Sequence, residues 1–208
     1  MARIMIVDDE PDIREIVRLY LESAGHTVIP AKNGLECLKL VKKERPDLIL
    51  MDIRMPKLDG WTTIKKLQEL DFARDIPIVV LTVERLTPLR VVRKEIENLT
   101  AYVEKPFTKS KLMETVGKVL KRMGEVLTQS AKIEKSIEHG EPIARSYKET
   151  VRKRFLHEYL LSELERMKKE ATDEQELTHI QNLIENEKIA VETLKLKERV
   201  MERMAETG

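Results

Sequence analysis

Short apolar runs alternate with amphipathic stretches over residues 1–122 of the chain. The apolar runs predict five β-strands, and the amphipathic stretches predict five α-helices. A strand followed by a helix, five times in succession, predicts a parallel sheet that is covered by helices on both faces. The predicted strands are 4–7, 27–29, 48–51, 78–81 and 101–103, and the predicted helices are 11–24, 33–44, 60–70, 88–98 and 108–122.

The pattern changes after residue 122, because strand signals end and apolar residues recur at helical spacing. Phe155, Leu160 and Leu164 lie on one such stripe, which ends at a predicted break over 171–173. A second stripe follows at near-heptad spacing. Residues 123–208 are therefore predicted to be all-α, as a helical hairpin or coiled coil. The second stripe consists of Leu177, Ile180, Ile184, Val191, Leu194 and Met201.

Composition limits the class of protein. Charged residues make up 36% of the chain and aromatic residues 4%, which favours soluble, helix-rich structure. Cys37 is the only cysteine, so we expect no intrachain disulfide and a reducing, cytoplasmic location. We also expect neither a signal peptide nor a membrane span. The net charge of +1 argues against an obvious nucleic-acid binder.

Candidate chemistry begins with acids at the ends of buried strands. Asp8 and Asp9 follow the first predicted strand, and Asp52 directly follows the third. The carboxyl ends of parallel strands share one edge of a sheet, where such folds bind their ligands. Three like charges at one edge repel, so protonation or a bound cation must relieve them. Oxygen-only ligands favour a hard divalent cation such as Mg²⁺.

Two further strand ends add complementary groups. Thr82 ends the fourth strand and supplies a hydroxyl, and Lys105 follows the fifth strand and supplies an ammonium group. Carboxylates, a cation site, a hydroxyl and an ammonium together suit phosphoryl transfer to a carboxylate. Asp52 is the best candidate nucleophile, because Asp8 and Asp9 lie together where a metal would be held.

Residues 1–122 resemble the receiver domain of two-component response regulators. The resemblance is carried by Asp8-Asp9, Asp52 in MDIRMPKLDG, Thr82, and Lys105 in YVEKPF, in the family's order and near its spacing. It implies a flavodoxin-like fold and phosphorylation by a sensor histidine kinase. The implied roles are Asp52 as phosphoacceptor, Asp8, Asp9, Asp52 and the backbone carbonyl of Arg54 as Mg²⁺ ligands, Lys105 and Thr82 as phosphoryl contacts, Tyr102 as the aromatic switch, and Lys105-Pro106 as a cis peptide bond.

Val83 departs from the family's pattern. Receivers usually place alanine, glycine or serine directly after the threonine, whereas this chain has valine. The larger side chain is expected to restrict access of water or a phosphatase to the phosphorylation site. Tyr102 also has a simpler interpretation, because aromatic residues commonly fill strand ends as packing.

The expected function is that of a signalling protein and not an enzyme in the usual sense. The helical region is expected to form a homodimer or to dock a downstream protein. The alternative, which the sequence favours less, is a DNA-binding regulator that uses Arg152, Lys153 and Arg154. Neighbouring glutamates offset that basic cluster, so a solvated helix face is the preferred interpretation of it.

Overall fold

A computed structural model describes residues 1–83 and 99–207 of the chain. It divides into two compact units, of which the first runs to Lys121 and the second begins at Arg122. The predicted helix 88–98 lies outside the described residues. Over the ranges that are described, no helix has both the length and the apolar character needed to cross a membrane.

The first unit is built on one parallel sheet with the strand order β2-β1-β3-β4-β5. This order confirms the predicted five-stranded, doubly wound architecture. The chain goes from β1 to one side of the sheet and then crosses to the other, so the crevice for ligands lies beyond the ends of β1 and β3. The strands are β1 (Arg3–Val7), β2 (Thr27–Ala31), β3 (Leu48–Asp52), β4 (Ile78–Thr82) and β5 (Leu99–Glu104).

The residues of each strand explain its place in the sheet. Every residue of β3 and β4 is buried, as expected for central strands covered on both faces. In contrast, β2 mixes exposed and buried positions and contains Pro30, which cannot donate a ladder hydrogen bond. The edge position of β2 suits both features.

The helices of this unit begin at side-chain caps or at proline. Asn33 Oδ1 accepts a hydrogen bond from the Glu36 amide at 3.1 Å, and Asp59 Oδ1 accepts one from the Thr62 amide at 3.0 Å. Thr108 caps the last helix, with its Oγ1 accepting a hydrogen bond from the Lys111 amide at 3.2 Å. The helices are α1 (Pro11–Glu22), α2 (Gly34–Glu44), α3 (Gly60–Gln68), which carries the half-buried Trp61, and α4 (Lys109–Ser136).

The last helix of this unit extends beyond the predicted range 108–122, because α4 continues through Gly124 to Ser136; the sequence alone leaves open whether it does so. A glycine inside a helix costs only about 1 kcal/mol relative to alanine. The apolar stripe also continues past it, since Val126 and Ile133 are buried. No proline or cap interrupts this stretch of sequence.

The second unit contains the end of α4 and two long helices, α5 (Glu141–Glu170) and α6 (Glu174–Thr207). Helices α5 and α6 pack against each other as an antiparallel hairpin, in agreement with the predicted hairpin. Six of the predicted apolar positions are buried and three are partly buried. The buried ones are Phe155, Leu160, Leu164, Ile180, Ile184 and Val191, and the partly buried ones are Leu177, Leu194 and Met201.

Polar contacts also join α5 to α6. Each pairs a donor or histidine on α5 with a glutamate on α6, so they fix how the two helices align along their length. The contacts are Tyr147 Oη to Glu202 Oε1 at 3.0 Å, Arg154 Nε to Glu198 Oε1 at 2.6 Å, and His157 Nδ1 with Glu187 Oε2 at 2.6 Å.

Candidate functional site

Three carboxylates meet where β1 and β3 end. The two strands are neighbours, with Val7 aligned to Met51, so Asp8 and Asp52 emerge side by side. One carboxylate oxygen from each of Asp8, Asp9 and Asp52 lies within 4.8 Å of the others. Asp8 and Asp52 are buried and Asp9 is more exposed than either. The structure thus brings together the acids that the sequence grouped.

Lys105 reaches this cluster from the end of β5. Its Nζ lies 2.7 Å from Asp8 Oδ2, 3.4 Å from Asp52 Oδ1 and 3.6 Å from Glu10 Oε1. The Lys105 amide donates a hydrogen bond to the Thr82 carbonyl at 2.8 Å, which brings the ends of β4 and β5 together. The peptide bond between Lys105 and Pro106 is cis, as predicted.

Burial sets the electrostatics of the acceptor. It raises the pKa of Asp52 from 3.8 to about 6, with the Asp8 charge adding to the rise and the Lys105 charge opposing it. Burial also acts to lower the pKa of Lys105, but the hydrogen bond and charge of Asp8, together with Asp52, outweigh it and raise that pKa. Lys105 therefore remains an ammonium group, and Asp52 is ionised at neutral pH.

The charges at this edge do not balance. Within the group formed by Asp8, Asp9, Asp52 and Lys105, three carboxylates face one ammonium, so these four side chains carry an excess of about two negative charges. A divalent cation neutralises such an excess, and donor groups that are all oxygen suit Mg²⁺. The donor set therefore fits the predicted ion. Arg54 follows Asp52 in the loop before α3, and the role of its carbonyl stays a prediction.

The other predicted receiver residues occupy the same part of the unit. Thr82 ends β4 and its side chain is buried, whereas Val83 is 52% exposed beside it. Tyr102 aligns with Val80 and is buried. Its role as the aromatic switch stays a prediction. The effect of Val83 on access stays a prediction.

Gly60 is a residue of this site that the sequence analysis missed. A Cβ on Gly60 would lie 2.2 Å from the Asp52 carbonyl oxygen and 2.8 Å from Ile53 Cα. The Gly60 amide also donates a hydrogen bond to the Ile53 carbonyl at 2.9 Å. The first residue of α3 therefore packs against the backbone that carries the acceptor. From the sequence alone, Asp59-Gly60 is only a residue pair typical of a turn.

The basic cluster of the second unit is largely engaged in ion pairs. Arg154 contacts Glu198 at 2.6 Å and Glu158 at 2.7 Å. Lys153 Nζ lies 2.8 Å from Glu149 Oε1. These carboxylates oppose the positive potential that binding to DNA phosphates requires.

The family described as response regulator receiver domain matches residues 4–117, which are more than half of the chain. This chain belongs to that family. Receiver domains are signalling modules that bind Mg²⁺ at an acidic site and work with histidine kinases. The first unit is therefore the receiver domain of a two-component response regulator, and this much of the expected function is confirmed.

Individual relatives agree over the same part of the chain. The probable transcriptional regulator ycf27 of Porphyra purpurea is 37% identical over 131 residues, which are 61% of this chain and 50% of that protein. The chemotaxis protein CheY4 of Vibrio cholerae is 32% identical, with a TM-score of 0.53, over 57% of this chain and 98% of that structure. The response regulator TrrA of Thermotoga maritima, solved with Mg²⁺ and BeF, is 32% identical, with a TM-score of 0.51, over 57% of this chain and 99% of that structure.

The alignment with the regulator covers only part of each protein. This chain spans about half the length of the curated transcriptional regulators that it matches. The receiver is thus the shared part. The alignment says nothing about the function of the remaining part of those regulators.

Proposed function

We propose that this chain is a response regulator that accepts a phosphoryl group on Asp52 from a sensor histidine kinase. The reaction depends on Mg²⁺, and the domain of residues 1–122 passes the signal to the helical domain of residues 123–208. The observation that carries the proposal is the buried Asp52 carboxylate beside Asp8, Asp9 and Lys105, with negative charge in excess.

Each residue of the cluster has a distinct task in this reaction. Asp8, Asp9, Asp52 and the backbone carbonyl of Arg54 would hold the Mg²⁺, and the ion would supply positive charge to neutralise the transferring oxygens. One Asp52 oxygen attacks phosphorus as the bond from phosphorus to the donor breaks. Lys105 Nζ, 3.4 Å from Asp52 Oδ1, is placed to pair with a phosphoryl oxygen, and the Thr82 hydroxyl donates to another.

The direct test is labelling of the full chain by acetyl phosphate in Mg²⁺. The wild type becomes labelled, Asp52→Asn does not, and a chelator abolishes labelling. Asp71→Asn is the matched control, because Asp71 is 95% exposed and paired with Arg74 on the surface, so labelling persists. Label on Asp52→Asn that is stable in alkali and lost in acid would assign the phosphoryl group to a histidine instead and overturn the proposal.

The output of the helical domain is proposed to be association, either with a second copy or with a downstream protein. The support is physical: its long helices carry apolar residues that the hairpin does not cover, Ile189 and Leu196 among them. Light scattering on the full chain, with and without acetyl phosphate, measures whether the protein assembles and whether the receiver controls assembly.

DNA binding is the second candidate, and one observation favours it. Several relatives that share the receiver are named transcriptional regulators. The ion pairs of Lys153 and Arg154 weigh against it. Fluorescence anisotropy with duplex DNA at low salt tests this candidate: binding that weakens steeply with salt and is lost in Arg152→Ala with Lys153→Ala supports it. No binding removes it.

A further inference from the structure

Helix α6 carries a second apolar stripe on the side opposite its contact with α5. Ile189 is 66% exposed, Leu196 57%, Val200 51% and Met204 44%. Steps of seven, four and four residues keep these side chains on one face of a helix. The buried side of the same helix, with Ile184 and Val191, packs against α5. The hairpin therefore leaves these four side chains uncovered.

The charges beside this stripe change sign along the helix. Exposed Glu185, Lys188 and Glu192 flank its N-terminal half, and exposed Arg199, Arg203 and Glu206 flank its C-terminal half on the same side. Glu192 also pairs with Lys195 at 2.9 Å. The first three residues carry net negative charge and the last three net positive charge. A complementary partner places basic residues beside the acidic half and acidic residues beside the basic half. A second copy of the same stripe does this when it lies antiparallel to the first.

We propose that a second copy of this chain covers the stripe, with α6 packed antiparallel against α6 around a two-fold axis near residues 194–195. In this register Ile189 meets Val200 of the other copy, and Thr193 meets Leu196. Glu192 faces Arg199 and Glu185 lies near Arg203, and symmetry forms each pair twice. The proposal gives a surface to the association suggested above for the helical domain, and it rests on that proposed function for its role in signalling.

An in-register parallel pair fits less well, because the acidic half of one stripe would then lie beside the acidic half of the other. The basic halves would lie together as well. Like charges across a helix pair disfavour the wrong orientation, whereas the antiparallel arrangement opposes unlike charges at both ends. The charge pattern therefore favours a second copy of the chain in the antiparallel orientation.

The first experiment compares two variants of the full, unphosphorylated chain by light scattering. Ile189→Glu with Leu196→Glu places two charges in the stripe and is expected to give a monomer from a dimeric wild type. Ser146→Glu with Ser162→Glu adds the same charge at exposed positions of α5 and is expected to remain dimeric. Circular dichroism checks that both keep their helices. A monomeric wild type at high micromolar concentration, or a dimeric stripe variant, overturns the proposal.

Charge reversal tests the orientation without adding charge to the apolar positions. Glu192→Arg and Arg199→Glu alone each weaken the dimer, and together in one chain they restore it, because each reversed residue then faces its reversed partner. Failure of the combined variant to recover dimer affinity overturns the antiparallel pairing. This test also serves if the stripe variant fails to fold.

A distance measurement separates the two orientations directly. With a spin label on Thr178→Cys, the antiparallel register places the two labels about 50 Å apart at 1.5 Å per residue, whereas a parallel pair brings them close together. The native Cys37 is buried and its pKa is raised to about 12 by burial, so the introduced thiol reacts selectively. A short distance overturns the proposed register.

The outcome is independent of receiver chemistry. Dimer formation is measured without a phosphodonor, and labelling of Asp52 is measured separately on the same variants. Loss of the dimer with normal labelling supports the surface, whereas absence of labelling with an intact dimer removes the proposed phosphorylation and leaves the surface standing.

Discussion

The two units of this protein treat buried charge in opposite ways. In the receiver, Asp8 and Asp52 both pair with Lys105 and Asp9 adds a third carboxylate, so these four groups together carry an excess of negative charge. In the described part of the helical unit, Glu198 is the one charged side chain that is buried, and Arg154 pairs with it at 2.6 Å. Excess negative charge is typical of a site that binds a cation, whereas paired charges are typical of contacts that hold two helices together.

This difference predicts that removing a carboxylate destabilises the helical unit and stabilises the receiver. Removal of Glu198 from the helical unit takes one of two carboxylate partners from the partly buried Arg154, whereas removal of Asp52 from the receiver relieves repulsion.

The largest effect is expected for Glu198→Ala. Loss of a partner from a buried ion pair costs about 3 kcal/mol, the lower end of the usual range, because Arg154 keeps Glu158 at 2.7 Å. Chemical denaturation followed by circular dichroism measures the loss. Lys153→Ala, which removes a largely exposed pair, is the control and changes the free energy of unfolding by less than about 0.5 kcal/mol. Equal effects in both variants would contradict a structural role for Glu198.

The second effect concerns geometry around the acceptor. Gly60→Ala forces a methyl group to within 2.2 Å of the Asp52 carbonyl oxygen unless the backbone moves. We expect a loss of about 2–3 kcal/mol in receiver stability and weaker Mg²⁺ binding by calorimetry. Gly117→Ala in α4 is the matched control, since no atom lies within 4 Å of its added Cβ. The free energy of unfolding of Gly117→Ala is expected to rise by about 0.5–1 kcal/mol. An unchanged stability of Gly60→Ala would show that the backbone near Asp52 can move to accept the methyl group.

The third effect, at Asp52, is a gain in stability. The raised pKa of Asp52 means that this carboxyl contributes stability below pH 3.8, and that the contribution is lost as the pH rises through about 6. Asp52→Asn removes the charge, so at neutral pH without Mg²⁺ it is expected to stabilise the receiver by about 2 kcal/mol.

The pH profile distinguishes this cause from a simple packing gain. The difference between Asp52→Asn and wild type is expected to close as the pH falls from about 6 towards 3.8, and to shrink when Mg²⁺ is added. Thermal unfolding across this range is the measurement, with Asp71→Asn as control. A stabilisation that does not change with pH would contradict the electrostatic explanation.

The smallest effect is expected at Val83, which is 52% exposed beside the buried Thr82. If its side chain shields the acyl phosphate, Val83→Ala shortens the phosphoryl half-life, by less than about tenfold or roughly 1.4 kcal/mol. Val83→Ile, which keeps the bulk, serves as the control. An unchanged or longer half-life in Val83→Ala would remove the steric argument.

The strands and their acidic ends were predictable because each signal was local. Leu48–Asp52 contains a fully apolar run with a carboxylate directly after it, and the βα repeat placed that end beside Asp8. Gly60 was not predictable, because its contact with the Asp52 backbone depends on how the loop before α3 folds back. A single sequence shows the turn but not what the turn touches.

The helical unit shows a second limit. The sequence predicts the stripe with Ile180, Ile184 and Val191 as the interface of α6, but it does not show which groups of α5 that stripe meets. The structure assigns Ile180, Ile184 and Val191 to the hairpin and leaves Ile189 and Leu196 exposed. The choice depends on contacts with α5, including the pairing of Arg154 with Glu198, which no periodicity within α6 contains.

Trp61 gives the protein a built-in optical probe. It is the single tryptophan of the chain and occupies the first turn of α3, next to Gly60. Its emission reports on the receiver alone, whereas far-ultraviolet ellipticity is weighted towards the long helices α5 and α6. The melting of the two units is therefore separable in one cuvette, without labels or truncation.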